Sequence, residues 1–536
     1  MNTAMIAECR DAAGKSERRG GGVDLAAARM TGIQGSSQLS SVHARYAQPP
    51  HCEVKSYLVN GELRPWSGDM MPIVSQIRSA NGEVTPLGSV PKLSPAAARE
   101  IVERAAEAYD EGLGVWPSLS AEARIAAVEA CLDLFQAKRD EVVHLLVWEI
   151  GKSVPDAEKE FDRTIGYVRD TIEAYREMVA KGREVKPFGA SGITTEPGPR
   201  GVTFCMAPSN YPFNESLTTV FPALLVGNPV ILKPAKQGVL LFAPILEAMQ
   251  KSFPPGVLSV LFGDGFEVVP PVMSSGKVDS FAFIGTSGAA KAILNQHPSG
   301  HTLHRVLGLG AKNPGVVLPS ADLDATVKEV VAGALSFNGQ RCTALKMLFV
   351  HRSIAQEFVE KLSTAVSALP KGMPWEKGVA ITPLYEPGKE AAMGAYVEDA
   401  VAHGARITNE GGGRRSHGVY NPAVLYPVTP EMRVYREEQF GPVVPVAVFD
   451  DPREVLAYVK TSSVRQQASV FGSDPKEVDP LTERLGRMIP RVNVNAQCQR
   501  SPDSVSFGAL KDAGLGELSI QKALEAFSVE RVRARR

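Results

Sequence analysis

The sequence predicts an α/β protein built from two parallel-sheet units, and three observations carry that prediction. From residue 201, short, mostly apolar runs recur at intervals of about 25 to 30 residues, separated by helical stretches. They read "GVTFCMAP" (201–208), "PVILKP" (229–234), "VLSVLFG" (257–263) and "SFAFIGT" (280–286). A second series follows: "GVVLP" (315–319), a helix over 324–335, "MLFVH" (347–351), a helix over 354–368, "VVPVAVF" (443–449), "ASVFGS" (468–473) and "RVNVNA" (491–496). Strands buried on both faces read as such continuous runs, and the βαβ order implies parallel sheets covered by helices. Third, residues 94–181 place apolar residues at three-to-four spacing and read as helices.

Ser94-Pro95 opens that helical segment, with proline at the first helical position. The β-prone stretch "REVKPFGASGITTEPG" (183–198) lies between helix and sheet and reads as a protruding hairpin. Residues 1–49 are rich in Gly, Ser and Ala with scattered charge, and read as a mobile leader.

The 536 residues suggest roughly three or four domain-sized units. Apolar content of 44% and charged content of 22% are ordinary for a globular protein. A net charge of −1 favours neither nucleic acid nor an anionic membrane as partner. No apolar run approaches the ~18 residues of a membrane span; "GVLLFAPILEAM" is interrupted by Glu247. Six cysteines without CxxC spacing make neither a disulfide framework nor a metal site, and fit a reducing, cytoplasmic setting.

Cys342 is the first candidate for chemistry. It sits in "FNGQRCTALK" beside Gly339, Gln340 and Arg341 rather than apolar packing. An adjacent cation favours thiolate over thiol, and backbone N–H groups in such a turn can face an oxyanion. A buried structural thiol is the competing reading. Lys233 and Lys236, in "KPAKQG", follow a strand at the edge where open α/β sheets bind nucleotides, and two lysines suit an extra phosphate. Gly285 and Thr286 make a turn that opens a helix, whose free N–H groups favour a phosphate. The G-x-G-x-x-G fingerprint is absent.

Taken in order, "APSNYP" (207–212), "GNPVILKPA" (227–235), "FIGTSG" (283–288), "LGLGAKNP" (307–314), "FNGQRC" (337–342) and "EEQFGPVVP" (437–445) give the chain a specific likeness. Over about residues 55–530 it resembles the aldehyde dehydrogenase superfamily, and most of all the non-phosphorylating, NADP-dependent glyceraldehyde-3-phosphate dehydrogenases. The resemblance implies an aldehyde dehydrogenase-like fold, with two Rossmann-like α/β domains and a small β oligomerisation element. The NADP-binding domain is expected at 50–182 and 199–310, the catalytic domain at 311–511, and the arm and tail at 183–198 and 512–536. An exposed hairpin has edges to bury, which predicts a homo-oligomer, a dimer or tetramer.

The resemblance also implies the chemistry. Cys342 attacks the aldehyde, and Asn210 with the Cys342 N–H holds the oxyanion. The thiohemiacetal is oxidised to a thioester, which is then hydrolysed. Lys233 and Glu438 match the positions that bind the two riboses, and Phe440 is assigned to the cofactor with them. Lys236 stands where NAD enzymes often carry a glutamate, which predicts NADP. Arg163, Tyr211, Arg341 and Arg500 match the residues that hold the phosphate of a small phosphorylated aldehyde, a task suited to the planar guanidinium fork.

One departure stands out. Where the superfamily reads "ELGGK", this chain reads Gly308-Leu309-Gly310-Ala311-Lys312, so the glutamate that activates the hydrolytic water is missing. General-base help contributes about 10²–10⁴-fold. Another group takes its place, with Glu438 the nearest candidate by family geometry, or the thioester passes to coenzyme A, or turnover is impaired.

Overall fold

The structure, a computed structural model, describes residues 41–79, 81–189, 191–416 and 418–536. Of the stretch read as a leader, residues 1–40 lie outside the described residues. Its end is folded: Tyr46 is buried, Trp148 Nε1 donates to the Tyr46 carbonyl at 2.8 Å, and Arg45 pairs with Asp140 at 2.7 Å.

Helices begin where the sequence places them. Ser94 accepts the Ala97 N–H at 3.2 Å and caps Pro95–Tyr109, with proline in the first turn. Ser153 caps the long helix Val154–Arg183 in the same way. Ahead of these helices, Cys52–Glu53, Met70–Arg78 and Val84–Pro91 form a three-stranded sheet that the apolar-run reading passes over, because its residues alternate between buried and exposed.

The first large sheet has the order Leu258–Val260, Val230–Lys233, Thr203–Met206, Ser280–Ile284, His304–Gly308, Gly514–Leu515. Five strands are parallel and the last is antiparallel. The chain moves outward from Thr203–Met206 to one side, then returns to place Ser280–Ile284 on the other. The carboxyl ends of these two strands therefore flank a topological switch point, the place where open α/β sheets bind ligands. His304–Gly308 is absent from the predicted series; its polar start conceals it.

The second sheet has the order Arg406–Ile407, Ala423–Tyr426, Val443–Phe449, Leu345–His351, Asn313–Val317, Gln467–Phe471, Arg491–Val494, parallel throughout except at Arg406–Ile407. Its residues serve two cores in alternation. Val316, Met347 and Phe349 pack on one face, and Val317, Leu348 and Val350 on the other. That double burial explains the continuous apolar runs.

Ser528–Arg535 pairs antiparallel with Ser191–Pro199, which in turn pairs with Lys186–Phe188. Phe188 and Val532 are exposed on this three-stranded arm.

Candidate active site

Cys342 lies at the end of a backbone held in an uncommon shape. After helix Leu323–Leu335, Phe337, Asn338 and Gly339 have φ of 50°, 56° and 71°. Left-handed backbone costs a non-glycine residue about 1–2 kcal/mol, so its surroundings must hold it. Asn338 Nδ2 donates to the Thr382 carbonyl and its Oδ1 accepts the Thr382 N–H, both at 3.0 Å. A Cβ on Gly339 would meet the Ala334 carbonyl oxygen at 2.7 Å and that of Gly441 at 2.8 Å, so glycine alone fits. Beyond the cysteine, Asn313 Nδ2 donates to the carbonyls of Cys342 at 2.8 Å and Ala344 at 3.0 Å. The loop is thus clamped on both sides of Cys342, just before strand Leu345–His351.

The thiol opens onto a cavity of about 740 Å³ between the carboxyl edge of the first sheet and the amino edge of the second. Asn210, Tyr211, Arg163, Arg341 and Arg500 line it with Cys342. Asn210 follows strand Thr203–Met206, and its Nδ2 donates to the Gln340 carbonyl at 3.0 Å. This bond keeps the amide beside the cysteine loop and leaves its second N–H for another acceptor.

The arginines do not sit free. Arg500, 8% exposed, donates from Nη1 to Glu215 at 2.6 Å, while its buried Nη2 has no partner among the described residues. Arg163 grips Asp503 through two bonds, 2.6 Å and 3.2 Å long. Arg341 Nη2 donates to the carbonyls of Ala332 (3.1 Å) and Gly333 (2.8 Å) near the end of helix Leu323–Leu335, and its buried Nε has no partner among the described residues. The orphaned guanidinium nitrogens are donors waiting for acceptors. Tyr211 lies under the ammonium of fully buried Lys152, whose Nζ is 3.4 Å from the ring centroid.

Burial pushes the Cys342 thiol up to about 11, and the charge of Glu215 adds to this. The sequence suggests that Arg341 would favour the thiolate. The structure aims Arg341 at helix carbonyls, and the cations that oppose the rise are Lys346 and Arg500.

Of the cofactor candidates, Lys233, Lys236, Gly285 and Thr286 lie at or just after strand ends on the same edge of the first sheet, and Glu438 and Phe440 precede strand Val443–Phe449 of the second. Gly285 and Thr286 line the cavity, and Thr286 caps helix Ser287–Leu294 by accepting the Ala289 N–H at 3.3 Å. Glu438 and Phe440 line it as well. A Cβ on Gly310 would approach Glu438 Oε2 to 2.7 Å, so the chain passes the carboxylate as closely as glycine permits. Glu438 Oε1 accepts from buried Lys346 Nζ at 2.6 Å, and that ammonium lies 4.5 Å from the Phe440 ring centroid. Lys233 and Lys236 lie outside the cavity lining, at and just after the end of strand Val230–Lys233. Lys236 is exposed. Lys233 is buried, and burial pushes its ammonium down to about 8. Its Nζ donates only to the Pro234 carbonyl at 3.2 Å, so it has spare donors for hydroxyl acceptors.

At Gly308 nothing demands glycine. A Cβ there would meet Ile284 atoms at 3.4–3.9 Å, ordinary contact distances. The missing carboxylate is a matter of chemistry rather than packing. Glu215, Asp503, Lys346 and Asn313 escape the sequence reading. Glu215 stands five residues beyond Asn210 in "SNYPFNE" and Asp503 ends "QRSPD", so proximity to quoted motifs is the signal that could have found them.

The Aldehyde dehydrogenase family profile matches residues 73–532. The chain is 30% identical to an NADP-dependent glyceraldehyde-3-phosphate dehydrogenase of Streptococcus equinus, covering 89% of this chain and 97% of that protein. It is 28% identical to a glutarate-semialdehyde dehydrogenase of Pseudomonas putida, covering 88% and 95%. Among solved structures it is similar to the NADP-dependent glyceraldehyde-3-phosphate dehydrogenase of Bacillus halodurans complexed with NADP. That match has a TM-score of 0.82 and 30% identity, and covers 91% of this chain and 99% of that one. The likeness extends over nearly the whole chain, and the chain belongs to the aldehyde dehydrogenase family.

Proposed function

We propose that the protein oxidises glyceraldehyde 3-phosphate to 3-phosphoglycerate with NADP and without inorganic phosphate. The observation that carries this reading is the shared cavity, which lines Cys342 and Asn210 together with Tyr211 and three arginines. The names of the relatives from Streptococcus equinus and Bacillus halodurans support it. Cys342 Sγ bonds to the aldehyde carbon, and the free Asn210 N–H holds the resulting oxyanion. The unpaired nitrogens of Arg341 and Arg500 take the phosphate oxygens at the far end, which fixes the aldehyde against the sulfur. NADP, when bound, supplies the two-electron oxidant. Lys233 and Glu438 hold its riboses, Gly285 and Thr286 a phosphate, Phe440 packs beside it, and exposed Lys236 takes the 2′-phosphate. The thioester on Cys342 is then hydrolysed; transfer to coenzyme A is the alternative fate.

The two ion pairs favour a second reading. Glu215 and Asp503 offset Arg500 and Arg163, so a singly charged tail, such as the carboxylate of a semialdehyde, suits the cavity as well as a phosphate dianion. The glutarate-semialdehyde relative, and an aspartate-semialdehyde dehydrogenase of Halomonas elongata at 29% identity, support it. The domain divisions 50–182 with 199–310, and 311–511, with an oligomerisation arm at 183–198 and 512–536, complete the proposal. NADPH formation from glyceraldehyde 3-phosphate, without phosphate, tests the assignment in wild type and Arg341→Ala. A kcat/KM for glutarate or aspartate semialdehyde above that for the phosphorylated aldehyde would transfer it to the second reading.

A further inference from the structure

We propose that Glu215 is the general base that hydrolyses the acyl–Cys342 thioester, in place of the carboxylate missing at Gly308. The inference rests on the Cys342 thioester chemistry proposed above.

At the cavity, strand His304–Gly308 offers no base. Gly308 has no side chain, and its carbonyl is taken by the Gly285 N–H at 2.9 Å. Among the other carboxylates lining the cavity, Glu160 is bound to Lys152 and to the N–H groups of Phe213 (3.0 Å) and Asn214 (3.1 Å). Glu386 pairs with Lys389 at 2.6 Å, and Asp156 accepts the Ser153 hydroxyl at 2.8 Å. Two carboxylates, Glu215 and Glu438, bear on the Cys342 thiol, and Glu215 bears on it more strongly. Glu438 is held by Lys346 and assigned to a ribose, so a bound cofactor occupies it during turnover.

Glu215 is placed differently. It lies in the first turn of helix Asn214–Leu225, directly after the loop that carries Asn210. The positive end of that helix faces the carboxylate. Its Oε1 accepts Arg500 Nη1 at 2.6 Å, which anchors the carboxylate, and among the described residues its Oε2 accepts no hydrogen bond. One oxygen is anchored and the other is left to orient a water. A carboxylate is thus held in the cavity that Cys342 and Asn210 also line.

The step balances as follows. Water oxygen bonds to the thioester carbon as Glu215 Oε2 takes one of its protons. The carbonyl oxygen gains negative charge against the Asn210 N–H. Collapse breaks the C–S bond, sulfur leaves as thiolate, and the proton on Glu215 returns to sulfur. Water is consumed, and a carboxylic acid and the free thiol are produced.

p-Nitrophenyl acetate tests this without any choice of aldehyde or cofactor. Acetylation of Cys342 releases a burst of p-nitrophenolate, and the steady phase that follows reports hydrolysis of the acetyl-enzyme. Glu215→Gln is expected to keep the burst, lower the steady rate about 10²-fold, and accumulate protein acetylated on Cys342. Glu215→Asp is expected to recover part of that rate. Hydroxylamine, a nucleophile that needs no base, restores the steady phase in Glu215→Gln; a merely misshapen site would not respond in this way. A full burst with an unchanged steady rate in Glu215→Gln overturns the assignment, as does loss of the steady phase in Glu438→Gln alone. A wild-type protein that is never acetylated on Cys342, or p-nitrophenolate release that survives Cys342→Ala, overturns the thioester reading itself and the inference with it.

Discussion

Lys346 Nζ lies 2.6 Å from Glu438 Oε1, a buried ammonium held against a carboxylate at the edge of the cysteine cavity. Burial lowers the ammonium's proton affinity and Glu438 offsets that loss. Removing one partner strands the other. Lys346→Met is expected to destabilise the fold by about 3 kcal/mol, read as a lower urea midpoint. The double variant Lys346→Met/Glu438→Gln is expected to recover most of it. Equal losses in the two variants would show that the pair is not coupled.

Burial and the Glu215 charge push the Cys342 thiol up to about 11. Alkylation by iodoacetamide is therefore expected to accelerate steadily from pH 7 to pH 10 without a plateau. Glu215→Gln removes a negative charge that disfavours the thiolate, so its profile moves to lower pH. A wild-type midpoint near that of a free thiol contradicts this account.

Glu149 is buried and accepts the N–H groups of Gly238 (2.7 Å), Val239 (2.9 Å) and Leu240 (3.0 Å). Burial lifts its carboxyl from 4.5 to about 7. Between those values the folded state holds a proton that the unfolded state has released, so stability falls as pH rises from about 5 to about 8. The contribution is on the order of 3 kcal/mol. Urea midpoints across this range are expected to slope downward in wild type and to lose that component in Glu149→Gln.

Lys236 is exposed beyond strand Val230–Lys233. Lys236→Glu is expected to lower kcat/KM with NADP by about tenfold or more, the loss of one charge-assisted contact, and to leave NAD nearly unaffected. Parallel losses with both cofactors would remove Lys236 from the 2′-phosphate.

Much of this arrangement is legible in the sequence, and the exceptions have physical causes. Strands such as Val230–Lys233 and Val443–Phe449 announce themselves because both faces are buried and nearly every residue is apolar. His304–Gly308 hides because its first residues are polar, and Gly514–Leu515 because two residues carry no period. The residues gathered around Cys342 follow from motifs that a chain segment carries locally. Their pairing does not. Arg500 and Glu215 are 285 positions apart, as Arg163 and Asp503 are 340 apart, and nothing in either segment alone reveals that a guanidinium is already engaged. Arg341 shows the same limit, since its neighbour in sequence is the cysteine but its hydrogen bonds go to the helix behind it.

The three-stranded arm leaves Val532 exposed, and among the described residues Ser528–Arg535 pairs only with Ser191–Pro199. A partner copy seated on that arm is expected. Val532→Asp should shift the mass measured by light scattering toward that of a single chain; an unchanged mass would place the subunit contact elsewhere.

The pairing of Gly514–Leu515 with the strand that ends at Gly308 has a consequence for how the protein is made. Synthesis runs from the amino terminus, yet Gly514–Leu515, which covers the outer edge of the first sheet, is made only after the whole second sheet. During translation the edge strand His304–Gly308 therefore stays uncovered while the second sheet is being made. A ribosome stalled before Gly514 would display an uncovered sheet edge, the kind of surface on which nascent chains aggregate or recruit chaperones.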